Sequence, residues 1–400
     1  MKNNKNYLYA AGFFGNFFFE RGIWILYLQS ISYSMFQIGI LQAVLNFTMF
    51  VSEIPTGVIS DRVGRKKALV LGHSFIILYL ATFIFFENFW FLFIGHIFYG
   101  IGLTFISGTD QAYLYDSLKQ NGNENSYGKV IGMYNAFIIS ALAISMALGG
   151  LLQGFSWKLV FVGGLAFQIM AVFIISLLKE IKIEGEENKD TSEISYKSVF
   201  NDIREFLVLN ISFKFLIVCF SVFSASISVF YMFSQDIFGK SGISVSQIAI
   251  IYSIISVLQV IFSVSSHKLE TWFSTKGILV TIFLVIGVLY LLINVGGSAL
   301  LILSFILINS ICELVEPLSS KMINDQISQK IRATVISILN LFTSFLMFLL
   351  FPLLGYLSEF INSRVMVSSM GFVSIMISLI LIIIYFNHKK KSDNVSSKII

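Results

Sequence analysis

A chain of 400 residues with 56% hydrophobic and 12% charged side chains carries about half the charge of an ordinary soluble domain. That balance excludes a soluble globular enzyme and points to a protein that crosses a membrane many times. The net charge of +5 follows from where lysine and arginine sit along the chain, so no nucleic-acid partner is needed to explain it.

Apolar windows of about 20 residues, the length that crosses about 30 Å of hydrocarbon, begin near Tyr7, Gln37, Ala68, Trp90, Gly128, Lys158, Ile211, Ser244, Gly277, Ala299, Arg332 and Arg364. The expected fold is an all-α membrane protein of twelve transmembrane helices, here called spans 1 to 12, in two pseudo-symmetric six-helix bundles. The N-terminal bundle takes 1–180, a cytoplasmic linker 181–208, the C-terminal bundle 209–387 and a cytoplasmic tail 388–400. Within the linker Val199, Ile203, Phe206 and Leu207 recur at helical spacing, so an amphipathic helix on the inner membrane surface is expected. An even number of spans puts both termini on one side. Of the 27 Lys and Arg, 23 fall in the termini and the loops on that side, which makes both termini cytoplasmic. The first apolar stretch runs on into a second span, so a cleaved signal peptide is not expected.

"GKVIGMYNAF" (128–137) and "ATVISILNLF" (333–342) align without gaps in spans 5 and 11. They are a weak internal echo of the kind left by the repeats from which many secondary transporters are built. Cys219 and Cys312 fall inside spans and read as small core residues rather than a disulfide or metal pair. No metal site and no cofactor are expected.

A charge inside a bilayer costs about 2.5–3.5 kcal/mol on the insertion scale. Glu20 and Arg21 in span 1, Asp110 in span 4, and Glu313 and Glu316 in span 10 are therefore the leading candidates for substrate binding and proton coupling. Neighbours in sequence do not face each other on a helix, so Arg21 needs a partner other than Glu20: Asp110 first, then Glu313 or Glu316. Glu53, near a helix end, reaches the membrane interface.

Polar residues recur at helical spacing: Asn16, Glu20, Trp24 and Tyr27 in span 1; Thr104, Ser107, Gln111 and Tyr115 in span 4; Ser221, Ser224, Ser228, Tyr231 and Gln235 in span 7; Asn309, Glu313, Glu316, Ser320 and Asn324 in span 10. Spans 6, 9 and 12 are almost uniformly apolar. Small polar residues also glue helices together, but polarity at every third span is what four helices lining one aqueous path would produce. Asn16, Trp24, Tyr27, Ser107, Gln111, Ser224, Ser228, Tyr231 and Asn309 are the expected lining residues.

The densest charge in the first hundred residues is "GVISDRVGRKKAL" (57–69). Its basic residues help fix topology, with 61–67 expected as a cytoplasmic turn between spans 2 and 3, but topology needs neither Gly57, Asp61 nor Gly64. The spacing of Gly57, Asp61, Arg62, Gly64, Arg65, Lys66 and Lys67 resembles the signature loop of the major facilitator superfamily. The resemblance implies two rocking six-helix bundles with spans 1, 4, 7 and 10 lining a central site. It also implies a gating loop in which Gly57 lets span 2 approach span 11, Asp61 faces the start of span 11 near Arg332, and Arg65 links Asp61 to Asp116.

Other family patterns depart. His96 and Gly100 stand where the family has R-x-x-x-G. "SMALGG" keeps Gly149 and Gly150 of the drug-antiporter motif without its Gly-Pro, and Gly150 with Gly154 forms a small-residue packing face. "SHKLETWFSTK" (266–276) is a degenerate second copy of the loop.

The function expected is proton-coupled export of small amphipathic or cationic compounds from a bacterial cell through the plasma membrane, and the resemblance implies that a monomer carries it out. Its partners are a small-molecule substrate, protons and the bilayer. Four carboxylates against Arg21 leave three negative charges for cations or protons to neutralise. Proton-coupled import of a nutrient is the alternative, and a sensor that binds without transporting is a third. An enzyme is not expected: H-E-x-x-H is absent, and "GNENSYGKV" (122–130) fails the phosphate-loop spacing and has Val130 where Ser or Thr is required.

Overall fold

The computed structural model describes residues 2–120, 122–180, 211–324 and 329–396, without the side chains of Lys2, Asn3, Ile211, Ser212, His267, Asn324, 329–338 and 389–396. The linker 181–208 with its expected amphipathic helix, the side chain of Arg332, the side chains of tail residues 389–396 and residues 397–400 lie outside the described residues.

All regular structure among the described residues is helical. Eleven helices among the described residues, counted through short interruptions, are long and apolar enough to cross a membrane. Spans 2, 3, 5 and 6 are α3 (Met35–Val63), α4 (Arg65–Phe85), α7 (Tyr127–Gln153) and α8 (Trp157–Ser176). Spans 7, 8, 9, 11 and 12 are α9 (Ile211–Lys240), α10 (Val245–Trp272), α11 (Thr275–Val295), α14 (Gln329–Leu357) and α15 (Ser363–Ser396). Spans 1, 4 and 10 are not continuous helices. Span 1 is α1 (Lys2–Gly15) and α2 (Trp24–Ser30), span 4 is α5 (Phe89–Ile106) and α6 (Thr109–Lys119), and span 10 is α12 (Ser298–Ile311), a 3₁₀ turn Cys312–Leu314 and α13 (Val315–Asn324).

By contacts the chain forms two compact units, Met1–Asn188 with Phe238–Val257, and Lys189–Ile237 with Leu258–Ile400. In the first, α4 packs on α5 and α8 and α3 packs on α5. Leu8, Leu69, Tyr113, Leu114, Tyr134 and Ile175 form a buried cluster that draws five spans together. In the second, α11 packs on α15 and α12.

The connections from span 1 to 2 and from span 7 to 8 repeat a local device. Tyr33 N donates to Leu28 O at 3.0 Å and Ile243 N to Phe238 O at 3.1 Å, around Ser32 at φ 71° and Gly242 at φ 78°, the left-handed residue of a helix C-terminal cap. Two residues on, Ser34 with Gln37 and Ser244 with Gln247 form the same reciprocal capping pair. This second internal repeat rests on "SMFQI" and "SVSQI", where only the polar cap residues and one isoleucine match.

Candidate functional site

The three interruptions coincide with the candidate carboxylates. In span 1, residues 16–23 leave the helix. Phe17, Phe18 and Phe19 are all buried and anchor the irregular segment, with Phe17 and Phe19 on Phe167 at 4.2 and 5.5 Å between ring centroids and Phe18 on Tyr99 at 5.9 Å. Glu20, in this segment, is 3% exposed. Its Oε2 is buried without a hydrogen-bond partner among the described residues and lies 3.7 Å from where a Cβ on Gly164 would be. Arg21 is exposed.

The stripe expected from helical spacing therefore does not exist as one face. Asn16 and Trp24 are half-buried, but Tyr27 is buried against Phe83, Trp157 and Phe161 and is not an open lining residue. The physical reason is the missing helical rotation between residues 16 and 23.

In span 4 the break falls at Ser107 and Gly108, with Gly108 at φ 76°. Such a conformation favours glycine. Asp110 then sits in the first turn of α6, where its Oδ1 accepts from Gln111 N at 2.7 Å and its Oδ2 from Tyr134 Oη at 2.8 Å, a placement that the positive end of a helix favours. The ring of Tyr134 fills the place of a Cβ on Gly12, at 2.4 Å, so Asp110 lies level with Gly12 in span 1, well short of Arg21. Asp110 is thus committed to Tyr134 and its own helix rather than to Arg21, the pairing first expected from sequence. Ser107, Gln111 and Tyr115 are exposed.

In span 10 the interruption has a covalent cause. Pro317 has no N–H to give the carbonyl of Glu313 four residues back, and its ring crowds that carbonyl, so the helix tightens to 3₁₀ at Cys312–Leu314. Glu313 Oε1 accepts from Gln259 Nε2 at 3.0 Å, and the same nitrogen reaches Asn309 O at 3.2 Å. Asn309 is buried, its Nδ2 donating to Phe305 O at 2.9 Å, whereas Glu316 is exposed. Span 7 is the one uninterrupted helix of the four. Between Cys219 and Phe238 its half-buried positions are Val222, Ser224, Ser228 and Tyr231 and all others are buried, so Ser224, Ser228 and Tyr231 of the expected stripe stay accessible beside Val222, whereas Ser221 and Gln235 are buried.

Sequence reasoning missed four polar residues. Asp236 in span 7 is fully buried and accepts from Ser363 Oγ at 2.6 Å. Next to it in sequence, Arg364 donates through Nε to Ile293 O at 2.6 Å and through Nη2 to Gly296 O. His73 and Gln168, buried in spans 3 and 6, meet at 2.7 Å, and Gln168 Nε2 donates to Gly15 O at 2.8 Å. A lone polar residue in an apolar span is the only signal either carries. His96 is buried, its Nδ1 bonded to Leu92 O at 2.8 Å and its ring among Trp24, Tyr79 and Phe83.

The loop 61–67 expected between spans 2 and 3 contracts to the one residue Gly64, at φ 94°; Asp61 and Arg62 finish α3, and Arg65 begins α4. Arg65 Nε lies 2.6 Å from Asp116 Oδ2, and Lys66 Nζ donates to Ser176 O at 2.7 Å. Asp61 and Arg62 are exposed, and a Cβ on Gly57 would meet nothing within 4 Å among the described residues. In span 5, Gly149 admits the backbone of span 1, since its Cβ would fall 1.9 Å from Phe19 O, and Gly150 admits α10, its Cβ falling 2.5 Å from Ala249 Cβ. Among the described residues Gly154 meets only Leu151 O of the preceding turn, so the close-packed pair there is Gly149 and Gly150 rather than Gly150 and Gly154.

The family model of the Major Facilitator Superfamily matches residues 9–313 and again 215–399. The chain belongs to the Major Facilitator Superfamily. It is 30% identical over 196 residues, 47% of its own length and 48% of the other's, to an uncharacterised MFS-type transporter, YxaM, of Bacillus subtilis (strain 168). It is 27% identical over 203 residues, 50% and 49% of the two lengths, to multidrug resistance protein 2 of the same organism. Each of those matches spans about half of the relative. Among solved structures, the nucleoside transporter NupG superposes with a TM-score of 0.75 at 15% identity, over 96% of this chain and 98% of that one, a likeness of fold.

Proposed function

We propose that this superfamily member is a secondary active transporter that couples proton entry to export of small amphipathic cations through the bacterial cell membrane. The observation that carries the reading is Glu20: a carboxyl sunk in the first unit at a break in span 1, with one oxygen lacking any hydrogen-bond partner among the described residues. A buried carboxyl without a partner is a natural resident for a proton. Asp110, with each oxygen bonded, is better suited to holding α6 in place. Glu313 and Glu316 supply negative charge for a cation, and a multidrug resistance protein among the relatives supports that substrate class. Breaks in spans 1, 4 and 10 support a transport cycle, because interrupted helices expose backbone groups where ligands and ions are handled. The Arg65–Asp116 pair and the Gly64 turn serve as a cytoplasmic gate, opening once per cycle.

Inverted vesicles containing the protein, energised and loaded with a quenched pH dye, test the reading. Lipophilic cations are expected to restore fluorescence by driving protons out, and Glu20→Gln and Glu313→Gln each to abolish the recovery. Silence toward every cation, with protein present in the vesicles, rejects cation export; dye responses to a neutral nutrient would assign import instead.

A further inference from the structure

Where α1 stops at Gly15, its carbonyl loses the helical donor that Phe19 N–H would have supplied. Gln168 of α8 replaces it, Nε2 donating to Gly15 O at 2.8 Å. A carbonyl can only accept, so the amide nitrogen must face Gly15, which leaves Oε1 toward His73 Nδ1 at 2.7 Å. That oxygen accepts in turn, and His73 therefore carries its hydrogen on Nδ1. Gln168 is 0% and His73 5% exposed. The fit is close on the third side too, since a Cβ on Gly15 would fall 2.3 Å from His73 Cε1. Carbonyl, amide and imidazole form one buried set drawn from spans 1, 6 and 3.

We propose that Gln168 and His73 are positioning residues for Glu20, holding span 1 open at Gly15 so that the Glu20 carboxyl is delivered into the interior of the first unit. In an unbroken helix Glu20 would share a face with Asn16 and Trp24, both half-buried. The break turns it instead toward Gly164 on α8. Downstream, the Phe19 carbonyl seats at Gly149, so the irregular segment is gripped on both sides of the residues that turn Glu20 inward. The proposal rests on the reading of Glu20 as a buried proton site, and its test does not depend on transport.

Dicyclohexylcarbodiimide, an apolar reagent, modifies protonated carboxyls in apolar surroundings. The rate at which Glu20 is modified in the full chain in lipid nanodiscs can be read by mass spectrometry. Gln168→Met keeps volume but removes the donor, and is expected to slow modification of Glu20 by about fivefold or more, the factor one lost hydrogen bond carries. Gln168→Glu, whose protonated form can still donate to Gly15 and accept from His73, is expected to restore the rate. His73→Phe is expected to act in the same direction as Gln168→Met and serves if that variant does not fold. Parental rates in Gln168→Met, or an unreactive Glu20 in the parent, overturn the proposal. Modification that responds to Gln168 in a protein silent in the dye assay leaves the positioning role standing and removes only the transport reading.

Discussion

Replacing Gly149 by alanine probes the contact between spans 1 and 5 on which Glu20 depends. The added Cβ would lie 1.9 Å from Phe19 O, 2.8 Å from Phe19 C and 3.1 Å from Phe19 Cα, and all three are backbone atoms that no rotamer change can move aside. To reach even 3.0 Å the two backbones must part by 1.1 Å, the difference of 3.0 and 1.9. Overpacking of this kind costs about 1–3 kcal/mol, which should lower the unfolding temperature by about 1–4 °C for a chain of this length. The residue displaced is the immediate neighbour of Glu20, and a shift of about 1 Å at a functional group costs about 100-fold in rate. Gly149→Ala should therefore lose both stability and proton-linked flux. Gly154→Ala, whose Cβ meets only Leu151 O at 3.2 Å, should stay within about 0.5 kcal/mol of the parent. Thermal unfolding of the purified protein by intrinsic fluorescence, with flux in vesicles, reads both effects. Parental behaviour of Gly149→Ala would refute the argument, because it would mean that the Phe19 carbonyl does not occupy that space.

The repeated helix caps make an internally controlled pair. Ser32→Gly relieves a left-handed residue and should stabilise by about 0.5–1 kcal/mol, while Gly242→Ala should destabilise by a similar amount; the double variant should melt with the parent, and a lower melting temperature for Ser32→Gly would count against the shared geometry. Ser363→Ala removes a donor from the buried Asp236 carboxylate and should cost about 1.5–3 kcal/mol, whereas Ser358→Ala, whose hydroxyl bonds only to Gly355 O three residues back, should cost little; equal melting temperatures for the two would show that the Asp236 contact contributes nothing.

Hydrophobic length was enough to place the spans, because it records a solvent requirement that every crossing segment meets separately: Gln37, Ala68, Trp90 and Gly128 each fall within three residues of a helix start. Periodicity failed where it assumed an unbroken backbone. The step from Asn16 to Glu20 to Trp24 suggests one face only if the hydrogen bonds between them continue, and at 16–23 they do not. Two of the three interruptions were nonetheless written locally. Ser107-Gly108-Thr109-Asp110 is a turn followed by helix-starting residues, and Pro317 forbids the bond to Glu313. The break in span 1 has no such sign beyond Gly15 and Gly22, since what holds it open is a glutamine 153 residues away. Gln168 lies in a span that reads as almost uniformly apolar, and its partners are a backbone carbonyl, which no sequence displays, and a histidine two elements distant. A polar residue that completes another helix's backbone leaves no pattern of its own. In an apolar span the isolated amide is therefore the feature to question, because burial there is stable only when some distant group needs what it donates.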